Sequence, residues 1–276
     1  MKEIITFFQS SMEIPASYGW FHLMFVALTI IATALICWRF KDCSDKTFRR
    51  ITLICWLIMI VLEVYKQITL SFSATDKDVE FAYAWYIFPF QLCSTPHFIL
   101  PFIAFMKDGK LRECFTSFIS TFAFFGGLVV FVYPNDVFCS TIGINIQTMV
   151  HHGLQLLTGI YFAVHFRKRL NFKYFLKAVP VFLILLAIAC VLNEVVHAYL
   201  IANQIDTTFN MFYVSQYVAN HLPILSAVYA AVDWVVFLIA YCFGFILAAF
   251  LVLYAKIGII NLVLKIMKKQ EDKKLA

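Results

Sequence analysis

Residues 175–199 read FLKAVPVFLILLAIACVLNEVVHAY. A helix that crosses a bilayer needs roughly 20 mostly apolar residues. This run supplies them and keeps Asn193, Glu194 and His197 together at one end. Working outward, six more stretches of the same kind can be marked: 18–38, 51–72, 83–106, 115–132, 145–165 and 225–254. The last is long and reads either as one tilted helix or as a span followed by an amphipathic tail through Met267. The sequence therefore predicts an all-α, polytopic membrane protein built as a seven-helix transmembrane bundle.

Composition points the same way. Of 276 residues, 62% are apolar, 18% aromatic and only 14% charged, and the mean hydropathy is +0.84. Soluble domains run about 45–50% apolar and about 25% charged. An ordinary soluble enzyme, a disordered chain, a coiled coil and a disulfide-stapled secreted fold are all excluded. The expected organisation is an extracytoplasmic segment over 1–17, a membrane domain over 18–254 and a basic tail over 255–276. Lys2, Glu3 and Glu13 speak against a cleavable signal peptide at the start. Of the eight cysteines, only Cys43 and Cys139 fall clear of the spans, so no disulfide framework is expected.

The net charge of +6 matters through its placement. Arg39, Lys41, Lys46, Arg49 and Arg50 fall in the first loop; Lys107, Lys110 and Arg112 in the third; Arg167, Lys168, Arg169 and Lys173 in the fifth. Lys265, Lys268, Lys269, Lys273 and Lys274 lie in the tail. The opposite set holds Lys2 and Lys77. Positive-inside then predicts the N-terminus outside and the C-terminus in the cytoplasm of a multi-pass plasma-membrane protein. The basic loops orient the chain and meet anionic lipid; no aromatic-basic module suggests nucleic acid as a partner.

Depth is the informative coordinate. At 1.5 Å per residue, His22 lies roughly 6 Å down span one, Glu63 and Lys66 roughly 14 and 9 Å down span two, and Gln91 and Cys93 roughly 9 and 12 Å down span three. His151 and His152 lie roughly 10 Å down span five, Asn193, Glu194 and His197 within roughly 9 Å of the end of span six, and Asp233 roughly 12 Å down span seven. All fall in the outer half. Ionisable residues inside a bilayer are costly and face the bundle interior or a wet cavity, so a polar pocket opening outward is expected. Glu63 and Lys66, His152 and Gln155, and Glu194 and His197 are each spaced i, i+3 and share a helix face. His165, Lys177 and Lys256 read as contacts near the inner interface.

Span three carries Phe88-Pro-Phe-Gln-Leu-Cys-Ser-Thr-Pro-His97, with Pro101 beyond. Each proline removes a donor and kinks the helix, and Pro96 frees the carbonyl of Leu92 beside Cys93. Broken helix at membrane depth is tolerated where it lines a cavity. A thiol beside a neutral imidazole can transfer its proton and act as a nucleophile. Cys93 and His152 therefore form a candidate Cys–His pair; a ligand pocket without catalysis fits the same residues.

Three segments resemble the YwaF-type bacterial integral membrane proteins and the related transmembrane protein 164 family: Val61-Leu-Glu-Val-Tyr65, Phe88-Pro-Phe-Gln-Leu-Cys93, and His152 followed nine residues later by Tyr161. His22 also fits, and the likeness covers roughly 18–254. The resemblance implies a seven-helix bundle and, from the eukaryotic relatives, an acyltransferase that moves fatty-acyl chains between phospholipids through a cysteine thioester. By position Cys93 matches the nucleophile and His152 its histidine, with His151 a rival. The chain departs from the family where Leu222-Pro-Ile-Leu-Ser-Ala-Val-Tyr229 replaces a Gly-Pro-aromatic run and where Phe209-Asn-Met-Phe212 matches only loosely.

The leading expectation is an acyltransferase or acyl hydrolase acting on membrane phospholipids. Glu63 or Glu194 would orient the imidazole, and Gln91, Lys66 or a backbone N–H near Pro96 would stabilise the oxyanion. No cofactor or metal is required. Two rivals use the same polar layer. One is a transporter or solute-binding membrane protein. The other is a zinc-dependent seven-helix hydrolase drawing on His22, His97, His151, His152 and His197, although no His-x3-His is present.

Overall fold

The computed structural model describes residues 2–75, 78–135, 137–220 and 222–275, with side chains through residue 266. Lys77 and the side chains of Lys268, Lys269, Lys273 and Lys274 lie outside the described set. The chain runs α1 (Lys2–Phe8), α2 (Trp20–Phe40), α3 (Asp45–Ser71), a small antiparallel hairpin of β1 (Phe72–Ala74) and β2 (Val79–Phe81), then α4 (Pro96–Phe105). It continues with α5 (Lys110–Phe118), which passes through a π-helical turn over Ile119–Ala123 into α6 (Phe124–Val132). α7 (Ile142–His165), α8 (Phe172–Ala202), α9 (Leu225–Ala231) and α10 (Trp234–Leu275) complete it.

Among the described residues five helices are long and apolar enough to cross a membrane: Trp20–Phe40, Asp45–Ser71, Lys110–Val132, Phe172–Ala202 and Trp234–Ile266. Their outer faces carry bare aliphatic side chains such as Ile30, Leu35, Ile184 and Leu247. Continuous apolar surface of that extent marks contact with lipid.

Five is fewer than the seven expected, and two stretches account for the difference. Residues 83–95 are not helical apart from two 3-10 turns, Trp85–Ile87 and Leu92–Ser94. Helix begins only at Pro96, whose missing N–H and fixed φ suit a first turn. The second stretch, α7, is long at 24 residues but polar. Its Asn145, Gln147, His151, His152, Gln155 and Thr158 are all buried. α7 packs against α2, α3 and α6, so it stands inside the bundle and its polar groups meet protein instead of lipid.

The stretch 225–254 also differs from expectation. Helix α9 stops at Ala231 and Val232 is extended. The Asp233 carboxylate then accepts from the N–H groups of Val235 and Val236 at 3.0 and 3.1 Å. Asp233 thus caps the start of α10 and does not join the polar layer.

The bundle has two distinct ends. At one, the loops after α2, α4 and α7 bring basic residues onto carboxylates. Arg112, fully buried, reaches Asp45 at 2.7 Å; Arg167 reaches Asp42 at 2.6 Å; Arg169 reaches Asp108 at 2.9 Å. The hydrogen bond from Arg167 holds the Asp42 carboxyl below its ordinary range, and that from Arg169 does the same for Asp108. Ser44 caps α3 and Asn171 caps α8 by accepting from Thr47 and Tyr174 N–H groups. At the other end sit α1, the hairpin and the segment 203–220. There Tyr65 donates to the Phe8 carbonyl at 2.8 Å. Gly143 lets α7 start against that ring: a Cβ at 143 would lie 1.8 Å from the Tyr65 hydroxyl oxygen. All eight cysteines are free.

Candidate functional site

Cys93 sits in the Leu92–Ser94 turn, half-buried, after an extended Gln91. The Leu92 carbonyl, which no helical N–H at Pro96 can reach, is satisfied locally: the Thr95 hydroxyl donates to it at 2.7 Å. Gly126 of α6 crosses directly over the turn, where an added Cβ would stand 3.5 Å from Leu92 Cγ and 3.6 Å from the Cys93 nitrogen. The turn is held between α6, α4 and α7.

Two histidines of α7 meet this turn in different ways. His151 Nε2 lies 3.0 Å from the Cys93 carbonyl oxygen. A carbonyl only accepts, so Nε2 carries the hydrogen and, in the neutral ring, Nδ1 holds the lone pair. His152 Nδ1 lies 2.7 Å from the Thr148 carbonyl. By the same reasoning its Nδ1–H donates to the backbone and its Nε2 holds the lone pair. Both lone-pair nitrogens are buried without a hydrogen-bond partner. The His97 ring stands 4.9 Å from that of His151, which is 5.1 Å from His152. Both His97 nitrogens are likewise buried and unpartnered. The three rings therefore stand in succession, His97, His151, His152, and His151 bonds the Cys93 turn.

Beneath them, Lys66 pairs with Glu63 at 2.9 Å. The Glu63 carboxylate also accepts from Gln67 at 2.6 Å, and Gln67 bonds the Ile87 carbonyl. Lys66 lies within electrostatic reach of Cys93, His151 and His152. Gln155, one turn along α7 from His152, donates to the Ala123 carbonyl in the π-helical turn at 2.6 Å.

Other residues of the polar layer lie elsewhere. His22 accepts from the Tyr18 N–H at 3.3 Å and packs among Tyr18, Phe131 and Phe138. His197 stacks on Tyr217 at 3.6 Å. The Glu194 carboxylate takes hydrogen bonds from the Tyr217 hydroxyl and the Gln216 amide. That bond to Glu194 keeps the Tyr217 phenol above its ordinary range. Among the described residues Glu194 therefore has no imidazole partner. Lys256 turns inward from α10 instead of reaching an interface: its ammonium donates to Ser120 and Gly159 carbonyls at 2.7 and 3.1 Å, over the Phe124 ring.

Gln91 also has a different task from oxyanion binding. Its amide donates to the Asn210 carbonyl at 2.7 Å and accepts from the Phe212 N–H at 2.8 Å. Asn193 grips the same loop from α8, donating to the Met211 carbonyl and accepting from the Met211 N–H. Phe212 and Tyr213 there have φ of 56° and 57°, a left-handed conformation that only surrounding contacts sustain in such residues. This buried loop over 209–215 closes the bundle beside Cys93. Sequence spacing gave no sign of it, because one of its two partners, Gln91, stands more than a hundred residues away.

Among the described residues no three His, Cys, Asp or Glu side chains gather as a metal-ligand set. The family model described as the TMEM164 family matches residues 16–254. No curated protein and no solved structure matches the chain.

Proposed function

The chain belongs to the TMEM164 family, and from that membership and the geometry around Cys93 we propose that it is a membrane acyltransferase working on phospholipid acyl chains. The supporting observation is the division of labour between the two histidines. His151 spends its N–H on the Cys93 carbonyl and fixes the turn. His152 is anchored through Nδ1 to Thr148 and keeps an unpartnered Nε2, a nitrogen able to accept a proton.

In the proposed reaction the Cys93 thiol gives its proton to His152 Nε2. The sulfur attacks the ester carbonyl, the glycerol oxygen leaves with the proton from His152, and the acyl chain stays on sulfur as a thioester. A lysophospholipid hydroxyl then gives its proton to His152 and attacks the thioester, which restores the thiol; water in that role makes the outcome hydrolysis. Lys66 is the nearby cation for the oxyanion, since Gln91 is committed to the 210–212 loop. The proposal includes seven crossings, with α7 and the 83–105 segment added to the five apolar helices, an outside N-terminus, the division at residues 17 and 254, and a place in the plasma membrane.

The test is acyl exchange in proteoliposomes containing an isotope-labelled phosphatidylcholine and an unlabelled lysophospholipid. Label should move to the lysolipid with wild-type protein and not with Cys93→Ala or His152→Ala. Transfer that persists in Cys93→Ala at the wild-type rate contradicts the proposal.

A further inference from the structure

A second site is lined by none of the residues around Cys93. Helices α2 and α10 leave a lateral opening whose floor is α6 and α7. The opening has a volume of about 790 Å³ and its wall includes Ala34, Phe131, Ile160 and Ile260. Each helix contributes residues three or four apart, as from Val26 through Ala34 to Lys41 on α2. That stretch measures about 22 Å along the axis at 1.5 Å per residue, longer than the roughly 15 Å depth of one leaflet. The lining is mostly aliphatic and aromatic, with Thr29, Thr33 and Cys37 along α2. Lys256 of α10 also lines it, and its ammonium is engaged with two carbonyls.

At its far end the groove meets a polar pocket of about 300 Å³ at the basic end of the bundle. The two cavities share Lys41 and Arg167 as their common wall. The pocket adds Lys168, Arg169 and His165, against Asp42. Arg167 is paired with Asp42 and Arg169 with Asp108, so the cations exceed these carboxylates by two. His165 stacks on Phe48 and keeps a buried Nδ1 without a partner. None of Cys93, His97, His151 and His152 lines either cavity.

We propose that this continuous pair of cavities binds an anionic glycerophospholipid, with one acyl chain along the groove and its phosphate between Lys41 and Arg167. An apolar slot open to the bilayer suits a chain already in it, and surplus positive charge at one mouth selects an anionic head over a zwitterionic one. The site needs no reaction at Cys93. It binds a lipid in the leaflet opposite the proposed thioester chemistry, as a resident or regulatory ligand.

The experiment is native mass spectrometry of the full chain in detergent, titrated with dioleoyl phosphatidate, with dioleoyl phosphatidylcholine or with inorganic phosphate alone. Phosphatidate should remain bound where phosphatidylcholine does not. Lys41→Gln should weaken it by about fivefold, the effect of one surface cation on an anionic lipid. Ala34→Trp, which fills the groove, should displace the lipid, and Ile260→Trp blocks it from the opposite wall should the first variant fold poorly. Cys93→Ala should bind phosphatidate as wild type does, so this site and the thioester are judged separately. Equal retention of the two lipids overturns the proposal. So does binding of inorganic phosphate that matches phosphatidate and survives both tryptophan variants.

Discussion

Replacing Asn193 by alanine tests how the 209–215 loop is held. The side chain is almost fully buried and makes two bonds to one residue, donating to the Met211 carbonyl at 3.1 Å and accepting from its N–H at 2.7 Å. Met211 is fully buried, so the variant leaves its N–H without water or partner, while its carbonyl keeps the bond from the Val214 N–H at 3.3 Å. At about 1–3 kcal/mol for such a group, the loss is about 1–3 kcal/mol. A thermal melt in detergent, followed by tryptophan fluorescence, should show a fall of roughly 2–12 °C at 2–4 °C per kcal/mol. Gln91→Ala should cost a similar amount, since it strips the Phe212 N–H and leaves the Asn210 carbonyl only the longer bond from the Tyr213 N–H. The double variant should lose less than the sum, because both residues secure the same strained turn. Asn203→Ala, which removes one exposed bond to Tyr199, is the control and should melt within 2 °C of wild type. An Asn193→Ala melt indistinguishable from that control refutes the reasoning.

Three further outcomes follow from the structure. Gly143→Ala pushes a methyl into the Tyr65 hydroxyl, so it should break the bond to Phe8 and lower the melting temperature by the equivalent of about 1–3 kcal/mol; Gly143→Ala combined with Tyr65→Phe should recover part of that. Asp42 and Asp108 have carboxyls held below the ordinary value of 3.8 by Arg167 and Arg169. Their contribution is complete above about pH 4 and disappears as pH falls through the lowered folded values, so melting temperature should drop on acidification below pH 4, less so in Asp42→Asn. Finally, His152→Ala should reduce acyl exchange by about 10²–10⁴-fold. His151→Ala, which frees the Cys93 turn, should cost less rate and more thermal stability.

Much of the membrane architecture was legible from apolar run length alone, and the five long apolar helices fall where those runs lie. Local spacing was equally informative: Glu63 and Lys66, three apart, form an ion pair at 2.9 Å. Depth counting placed Cys93 level with the span-five histidines, and His151 does reach the Cys93 carbonyl. Depth alone could not separate partners at one level. His22 and His197 lie in the same layer yet pack on aromatic rings away from Cys93. The runs at 83–106 and 145–165 are not among the long apolar helices, because proline or polarity intervenes in them. α7 is too polar to read as lipid-facing because its neighbours supply the apolar surface, and Pro96 starts a helix instead of bending one. The inward turn of Lys256 meets the Ser120 carbonyl in the π-helical turn 136 residues earlier, a pairing no local pattern encodes.

The central claim is a thioester on Cys93, and intact-protein mass spectrometry reads it directly. Detergent-purified protein is incubated with mixed phospholipids, then divided and treated with or without neutral hydroxylamine. The account predicts a fatty-acyl mass increment that maps to Cys93, disappears with hydroxylamine and is absent in Cys93→Ala. A folded Cys93→Ala variant that acquires the same labile adduct, or a wild-type protein that acquires none from any phospholipid, contradicts it.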